Sequence, residues 1–228
     1  MDTQTKVARA CNILYMEGHT DTVYGHASAR TDTDDIIWMK PAGLGFEEVR
    51  PHDVIQLDFE GNKRTGDLPR HLEFPIHTEI LRQRSDVQCV IHTHPPHATA
   101  FSAVNEPLRP VNHEGVLFIE GLPRFTQTSD LIVTPELGRA VAECLGPHNA
   151  MLLKNHGIVV AGPSVEEACV TAVLLEKAAQ MLLLAKQFGE IEWTDTAEAL
   201  EKKNRIYHEA SFQGMWDYFS RKLARQGY

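Results

Sequence analysis

The run Val87-Gln88-Cys89-Val90-Ile91 leads without a break into His92-Thr93-His94, and Pro95-Pro96 closes it. An apolar run of this length, stopped by two prolines, reads as a buried strand with a defined end. Side chains alternate across a strand, so His92 and His94 point to the same side. Two imidazoles at that spacing can grip one metal ion. Further donors are available at two places. His156 follows the apolar run Leu152-Leu153, and Glu73 stands before Phe74-Pro75-Ile76-His77, at the start of a helical pattern. Three histidines and a carboxylate make the donor set of a catalytic divalent-metal site. With 12 histidines some pairs arise by chance, and spacing alone does not bring His156 near His92.

The whole chain bounds the possibilities. At 228 residues it is expected to form a single domain, 1–228, with a C-terminal helical tail over about 190–228. A net charge of −9 without any basic run argues against nucleic-acid binding, which rests on Lys and Arg neutralising phosphates. Cys11, Cys89, Cys144 and Cys169 are scattered and form no C-x-x-C pair, so they read as reduced core residues. The N-terminus has no signal pattern, and the apolar stretch 168–185 is interrupted by Glu176-Lys177, so no membrane span and a cytoplasmic location are expected.

In order, the pattern predicts a helix from Asp2 or Thr3 to about Glu17, stopped by Gly18. A loop-to-strand passage over Tyr24–Arg30 follows, then strands at 36–39 and 54–58 and a hairpin turn at Glu60-Gly61-Asn62. A helix over 75–83 precedes the His92 strand. A short helix is expected over 97–101, a strand or loop over 108–115, and a helix over 136–145. Strands at 150–153 and 158–161 flank His156. Ser164 and Glu167 fit a capping box for a helix running to about Gln187. From Asp195 the tail reads as helical and amphipathic, with Tyr207, Phe212, Trp216 and Phe219 spaced for one face. Strands mix with helices without strict alternation. The fold class is therefore α/β, a three-layer arrangement with a mixed or antiparallel central sheet.

Gly25-His26-Ala27-Ser28-Ala29-Arg30, Pro41-Ala42-Gly43, Glu73, His92-Thr93-His94 and Asn155-His156-Gly157, in this order and separation, resemble the class II aldolase/adducin family. The resemblance covers about residues 8–184. It implies an α/β/α fold around a mostly antiparallel sheet and a homotetramer with sites between subunits. It also implies His92, His94 and His156 as metal ligands, with Glu73 as an acid/base that can ligate the metal at rest.

Family membership leaves the reaction open. Where sugar-phosphate aldolases of the family hold phosphate with an Asn, a Thr-Gly and a Ser-Ser, this chain has His26, Ala42-Gly43 and His71-Leu72. In place of their tyrosine acid it has His113, followed by Glu114. These departures resemble the metal-dependent decarboxylases of hydroxylated aromatic or pyridine dicarboxylates. That resemblance implies a carbon–carbon lyase acting on a small-molecule carboxylate, with Glu73 and His113 as proton donors. His26, Ser28, Gly43, Arg70 and His71 are the expected substrate residues; Lys40 and Arg30 are further cations that could meet a carboxylate. His97 reads either as support for the metal site or as a helix cap. The donor set suits Zn²⁺ or Mn²⁺, and also Fe²⁺ or Co²⁺. The competing readings are an aldolase, epimerase or dehydratase on a small sugar or hydroxy-acid derivative, and a non-catalytic adducin-like module.

Overall fold

In the computed structural model, which describes residues 1–32 and 35–227, eight strands form one sheet between two layers of helices. Thr33, Asp34 and Tyr228, included in the expected domain, lie outside the described residues. The elements in chain order are α1 (Thr3–Met16), β1 (His26–Arg30), β2 (Ile36–Met39), β3 (Ile55–Asp58), β4 (Lys63–Thr65), α2 (Phe74–Gln83), β5 (Cys89–Thr93), α3 (Pro96–Ser102), α4 (His113–Val116), β6 (Arg124–Phe125), α5 (Pro135–Leu145), β7 (Ala150–Leu153), β8 (Gly157–Gly162), α6 (Val165–Phe188), α7 (Thr196–Ile206) and α8 (Glu209–Arg225). The strand order is β4-β3-β2-β1-β5-β8-β7-β6, and every pairing is antiparallel except β6 with β7. The expected three layers and mostly antiparallel sheet are both present.

The period-two pattern of each central strand sorts its side chains between two cores. On β5, Cys89 and Ile91 join Ala27 and Ala29 of β1 under α1 and α6, while Val90 joins Val159 and Ala161 of β8 under α2 and α5. His26 stands opposite His92 and Ser28 opposite Val90, so His26, Ser28 and His92 share the α2 face. β5 is fully buried between its two neighbours, which is why its pattern is nearly continuous in apolar residues.

Local signals act as expected at most helix starts. Asp2 accepts the Thr5 N–H (2.8 Å) and Ser164 accepts the Glu167 N–H (3.1 Å). All four cysteines are free thiols. Among the described residues only α6 is long and apolar enough to cross a membrane, and 67% of its apolar window is buried inside the protein.

The structure adds detail or departs from expectation at three places. Residues 113–116 form a helical turn rather than a strand or loop, because the Asn112 side chain caps it by accepting the Gly115 N–H (3.0 Å). The two-residue strand β6 was not anticipated; it is too short for a periodic signal. The tail is helical and divides into two helices, α7 and α8. Phe212, Trp216 and Phe219 are buried along α8, but Tyr207 sits in the break and its hydroxyl donates to the His113 carbonyl (3.0 Å).

Candidate metal centre and pocket

The end of β5 and the β7–β8 turn deliver three imidazoles to one point. Asn155 takes a left-handed conformation (φ +55°), which asparagine tolerates well, and turns His156 back toward the strand end. Gly157 lets the hairpin close. A Cβ there would stand 2.5 Å from the Thr93 carbonyl oxygen and 2.6 Å from His94 Cδ2. The donor atoms of His92, His94 and His156 lie within 4.8 Å of one another.

Hydrogen bonds behind two of these rings fix which nitrogen is bare. His92 Nδ1 lies 2.9 Å from the Ile158 carbonyl, which can only accept, so Nδ1 carries the proton. His94 Nδ1 lies 2.6 Å from Asp21 Oδ2 and is likewise the donor. Both Nε2 atoms are therefore lone pairs, and they stand 3.0 Å apart. Two facing lone pairs repel unless a cation lies between them. Nitrogens that share one ion at about 2.1 Å each sit roughly 3–3.4 Å apart, so the residues present fit a divalent metal. Oriented histidines of this kind are the usual support of a metal site. Burial, together with the neighbouring imidazoles, drives the His92 pKa well below its ordinary value, and burial brings His156 down to about 4. Both rings are neutral, as ligation requires.

Glu73 precedes α2, whose first turn contains Pro75. Its Oε1 accepts the Ile132 N–H (2.8 Å) and lies 3.7 Å from His156 Nε2. Its Oε2 lies 3.7 Å from His92 Nε2 and 3.8 Å from His26 Nε2. Burial raises the Glu73 pKa, the Ile132 N–H opposes this, and Asp130 adds to it. A carboxyl with a raised pKa beside imidazole donors can ligate or exchange a proton.

The pocket in front of this cluster has a volume of about 370 Å³. Of the expected substrate residues, His26 and His71 line it. Ser28 does not: it is wholly buried, with its Oγ 2.6 Å from His77 Nδ1. Arg70 lies over the Phe74 ring, 4.3 Å from its centroid, and Gly43 sits on an exposed turn outside the lining. His113 is exposed on α4 and is not part of this chain's pocket. Arg30 is engaged by the carbonyls of Leu81, Arg84 and Val87. His97 is a helix-end residue. Its N–H and that of Ala98 donate to Glu176 of α6 (3.0 and 2.8 Å).

Several pocket residues had no signal in the sequence. Asp21, Tyr24, Ser129, Asp130 and Leu131 come from two loops that only the fold brings to the site. His77, four residues after Glu73 on α2, touches His26 through Nε2 at 2.6 Å; that four-residue spacing was the available clue. Lys40 is fully buried behind His71, its ammonium 3.3 Å from His71 Nε2 and held by the Val23 and Pro41 carbonyls (both 3.2 Å). Burial lowers its pKa to about 8, so it remains largely cationic at neutral pH.

An antiparallel-dominated sheet between helical layers, with this imidazole–carboxylate cluster at one end of its central strands, is the class II aldolase fold. The chain belongs to that family: residues 5–183 match the class II aldolase and adducin N-terminal domain. Its relatives carry more than one activity. Decarboxylase NovR of Streptomyces niveus is 35% identical over 69% of this chain, and the match spans 59% of that protein. The 3,4-dihydroxyphthalate decarboxylase of Arthrobacter keyseri is 29% identical over 80% of this chain and 78% of its own length. An L-fuculose phosphate aldolase of Methanococcus maripaludis is 28% identical over 78% of this chain and 94% of its own. Among solved structures, an aldolase II superfamily protein from Pseudomonas syringae superimposes with a TM-score of 0.90 at 25% identity, covering 98% of this chain and 92% of that one. Members of this superfamily include lyases, and its class II aldolases use a divalent metal.

Proposed function

We propose that the protein is a divalent-metal-dependent carboxy-lyase acting on a hydroxylated aromatic or pyridine dicarboxylate. The observation that carries this reading is the pocket wall. Where phosphate-binding hydroxyls and amides would be expected, it presents His26 and His71, backed by the buried Lys40 ammonium. That wall offers positive potential to a carboxylate, while His71 Nε2 itself faces the Pro41 carbonyl (3.0 Å). The dihydroxyphthalate and NovR decarboxylases among the relatives support the same reading.

In this reading His92, His94 and His156, with Glu73 at rest, hold the ion, Zn²⁺ or Mn²⁺ by donor type. The bound ion would supply Lewis acidity to the oxygen on which charge develops as carbon dioxide leaves. Glu73, whose pKa burial raises, is placed to deliver from Oε2 the one proton that replaces carbon dioxide on the ring carbon. His71 meets the carboxylate that stays on the ring, with the buried Lys40 ammonium behind it. Arg70 and Gly43, which do not line the pocket, have no part in this reading. His113 enters as a second proton donor from a neighbouring copy in a homotetramer.

A second reading is an aldolase on a small sugar or hydroxy-acid derivative, favoured by the aldolase relative that is matched over 94% of its length. A non-catalytic adducin-like module would have no use for the oriented histidines. The test is carbon dioxide release by metal-loaded protein from a panel of ortho-hydroxy aromatic and pyridine dicarboxylates, run beside phosphorylated ketoses. Gas from the acids, abolished by chelation, is expected. Aldehyde from the ketoses without gas would replace the carboxy-lyase with an aldolase.

A further inference from the structure

Ser28, His77 and His26 form a chain of hydrogen bonds that runs from the sheet interior to the pocket. Ser28 Oγ lies 2.6 Å from His77 Nδ1, and His77 Nε2 lies 2.6 Å from His26 Nδ1. Ser28 and His77 are 0% exposed and His26 is 2% exposed. Neither Ser28 nor His77 belongs to the imidazole–carboxylate cluster, so that cluster does not account for them.

The direction of the chain follows from the hydroxyl. The Val90 carbonyl also reaches the His77 ring, but the buried Ser28 O–H must donate, and His77 Nδ1, at 2.6 Å, is its partner. His77 then carries its proton on Nε2 and donates it to His26 Nδ1. His26 is left with its own proton on Nε2, which faces the pocket 3.8 Å from Glu73 Oε2. A nitrogen that bears a proton cannot ligate. His26, Glu73 and His92 also lie close enough together to suggest a second metal site, and this proton placement removes His26 from it.

We infer that His77, oriented by Ser28, is a positioning residue that fixes His26 as a hydrogen-bond donor to a carboxylate oxygen of the substrate. The surroundings favour an anion at that point. The His71 ring stands 4.6 Å from that of His26, with the Lys40 ammonium behind it. A donor that is already oriented loses no reorganisation when the anion arrives. The acid/base Glu73 thus stands at the cap of α2, and one turn later α2 carries the residue that sets the ring beside it. The inference rests on the proposed function only for the identity of the anion.

The test uses full-length, zinc-loaded protein with ¹⁵N-labelled histidine. The His26 resonances are assigned by their loss in His26→Gln. A neutral ring protonated on Nε2 is expected; a proton on Nδ1, or on both nitrogens, overturns the inference. Ser28→Ala removes the donor and is expected to put a measurable fraction of His26 into the Nδ1-protonated form. An unchanged spectrum removes Ser28 from the relay.

Binding of 2-hydroxybenzoate supplies the second readout. His77→Gln keeps both directions, since its carbonyl accepts from Ser28 and its amide donates to His26. Its affinity should stay within about threefold of the parent. His77→Leu, or Ser28→Ala where the leucine variant does not fold, should bind about ten- to a hundredfold more weakly, the range for one hydrogen bond to a charged oxygen. Equal affinity in all variants, or equal loss in the glutamine and leucine variants, overturns the inference. Carbon dioxide release together with an Nδ1-protonated His26 removes this inference alone. The expected tautomer and binding pattern without any gas removes the reaction and leaves the donor in place.

Discussion

Asp21 Oδ2 accepts the Nδ1–H of His94 at 2.6 Å, joining residues 73 positions apart in the chain. Two residues earlier in the same loop, His19 Nδ1 lies 2.9 Å from Thr93 Oγ1. The segment after α1 therefore holds the end of β5 at two successive residues. This contact sets the orientation and tautomer of a ring that could ligate a metal. Loss of such a carboxylate typically lowers metal affinity about 10–100-fold. Asp21→Ala should show that drop in a titration against a chromophoric chelator, with an unchanged far-ultraviolet circular dichroism spectrum. Unchanged affinity would mean that His94 needs no such support.

Gly157 is the position at which the backbone leaves no room. Its added Cβ would press on the Thr93 carbonyl and the His94 ring at 2.5 and 2.6 Å. Backbone at that distance cannot step aside cheaply, so Gly157→Ala must push the β7–β8 turn away from the end of β5. The expected result is a chain destabilised by about 1–3 kcal/mol that binds less than a full equivalent of metal. Urea unfolding and metal analysis of the purified variant check both. A fully loaded, equally stable Gly157→Ala would contradict the packing described.

Glu73→Gln keeps an oxygen for the Ile132 N–H but removes the exchangeable proton. Turnover should fall by about 10²–10⁴, the usual worth of a general acid/base. Plasma-emission analysis should still find bound metal, because His92, His94 and His156 remain. Undiminished turnover would assign the proton transfer to another group.

The buried imidazoles make stability depend on pH in a defined direction. Burial pushes the pKa values of His19, His71 and His77 to about 3 in the folded chain, against an ordinary value of 6.5. As pH falls below 6.5 the unfolded chain takes up these protons and the folded chain does not. The stability that the neutral rings contribute is complete above pH 6.5 and is lost progressively toward pH 3. Glu73, with a raised pKa, opposes this by up to about one proton above pH 4.5. In chelator, the melting temperature should fall steadily from pH 7 to pH 4.5. The slope should correspond to roughly two or more protons taken up on unfolding, and His77→Gln should flatten it by about one. A level profile would show that these rings titrate normally in the folded protein.

Some of the centre was legible because local rules decide it. His92 and His94 share a side because strand side chains alternate, and the two prolines end the strand there. Glu73 stands at the start of α2 because Pro75 favours a first turn. Other assignments went differently for reasons of packing. Ser28 alternates onto the same face as His26 but meets His77 of α2 instead of the pocket. Arg70 lies beside His71 in sequence yet stacks on Phe74.

By itself the sequence determined the layered α/β class, the strand that ends in two histidines, and the helix starts set by Asp2, Ser164 and Pro75, since each depends on residues within a few positions. Only the tertiary structure decided which distant groups meet. The sheet order sets β8 beside β5 and so brings His156 to His92, and a loop closes Asp21 onto His94. The packing of α2 on β1 joins His77 to His26. Contacts of this range follow from how the two cores bury their apolar faces, and no local pattern encodes them.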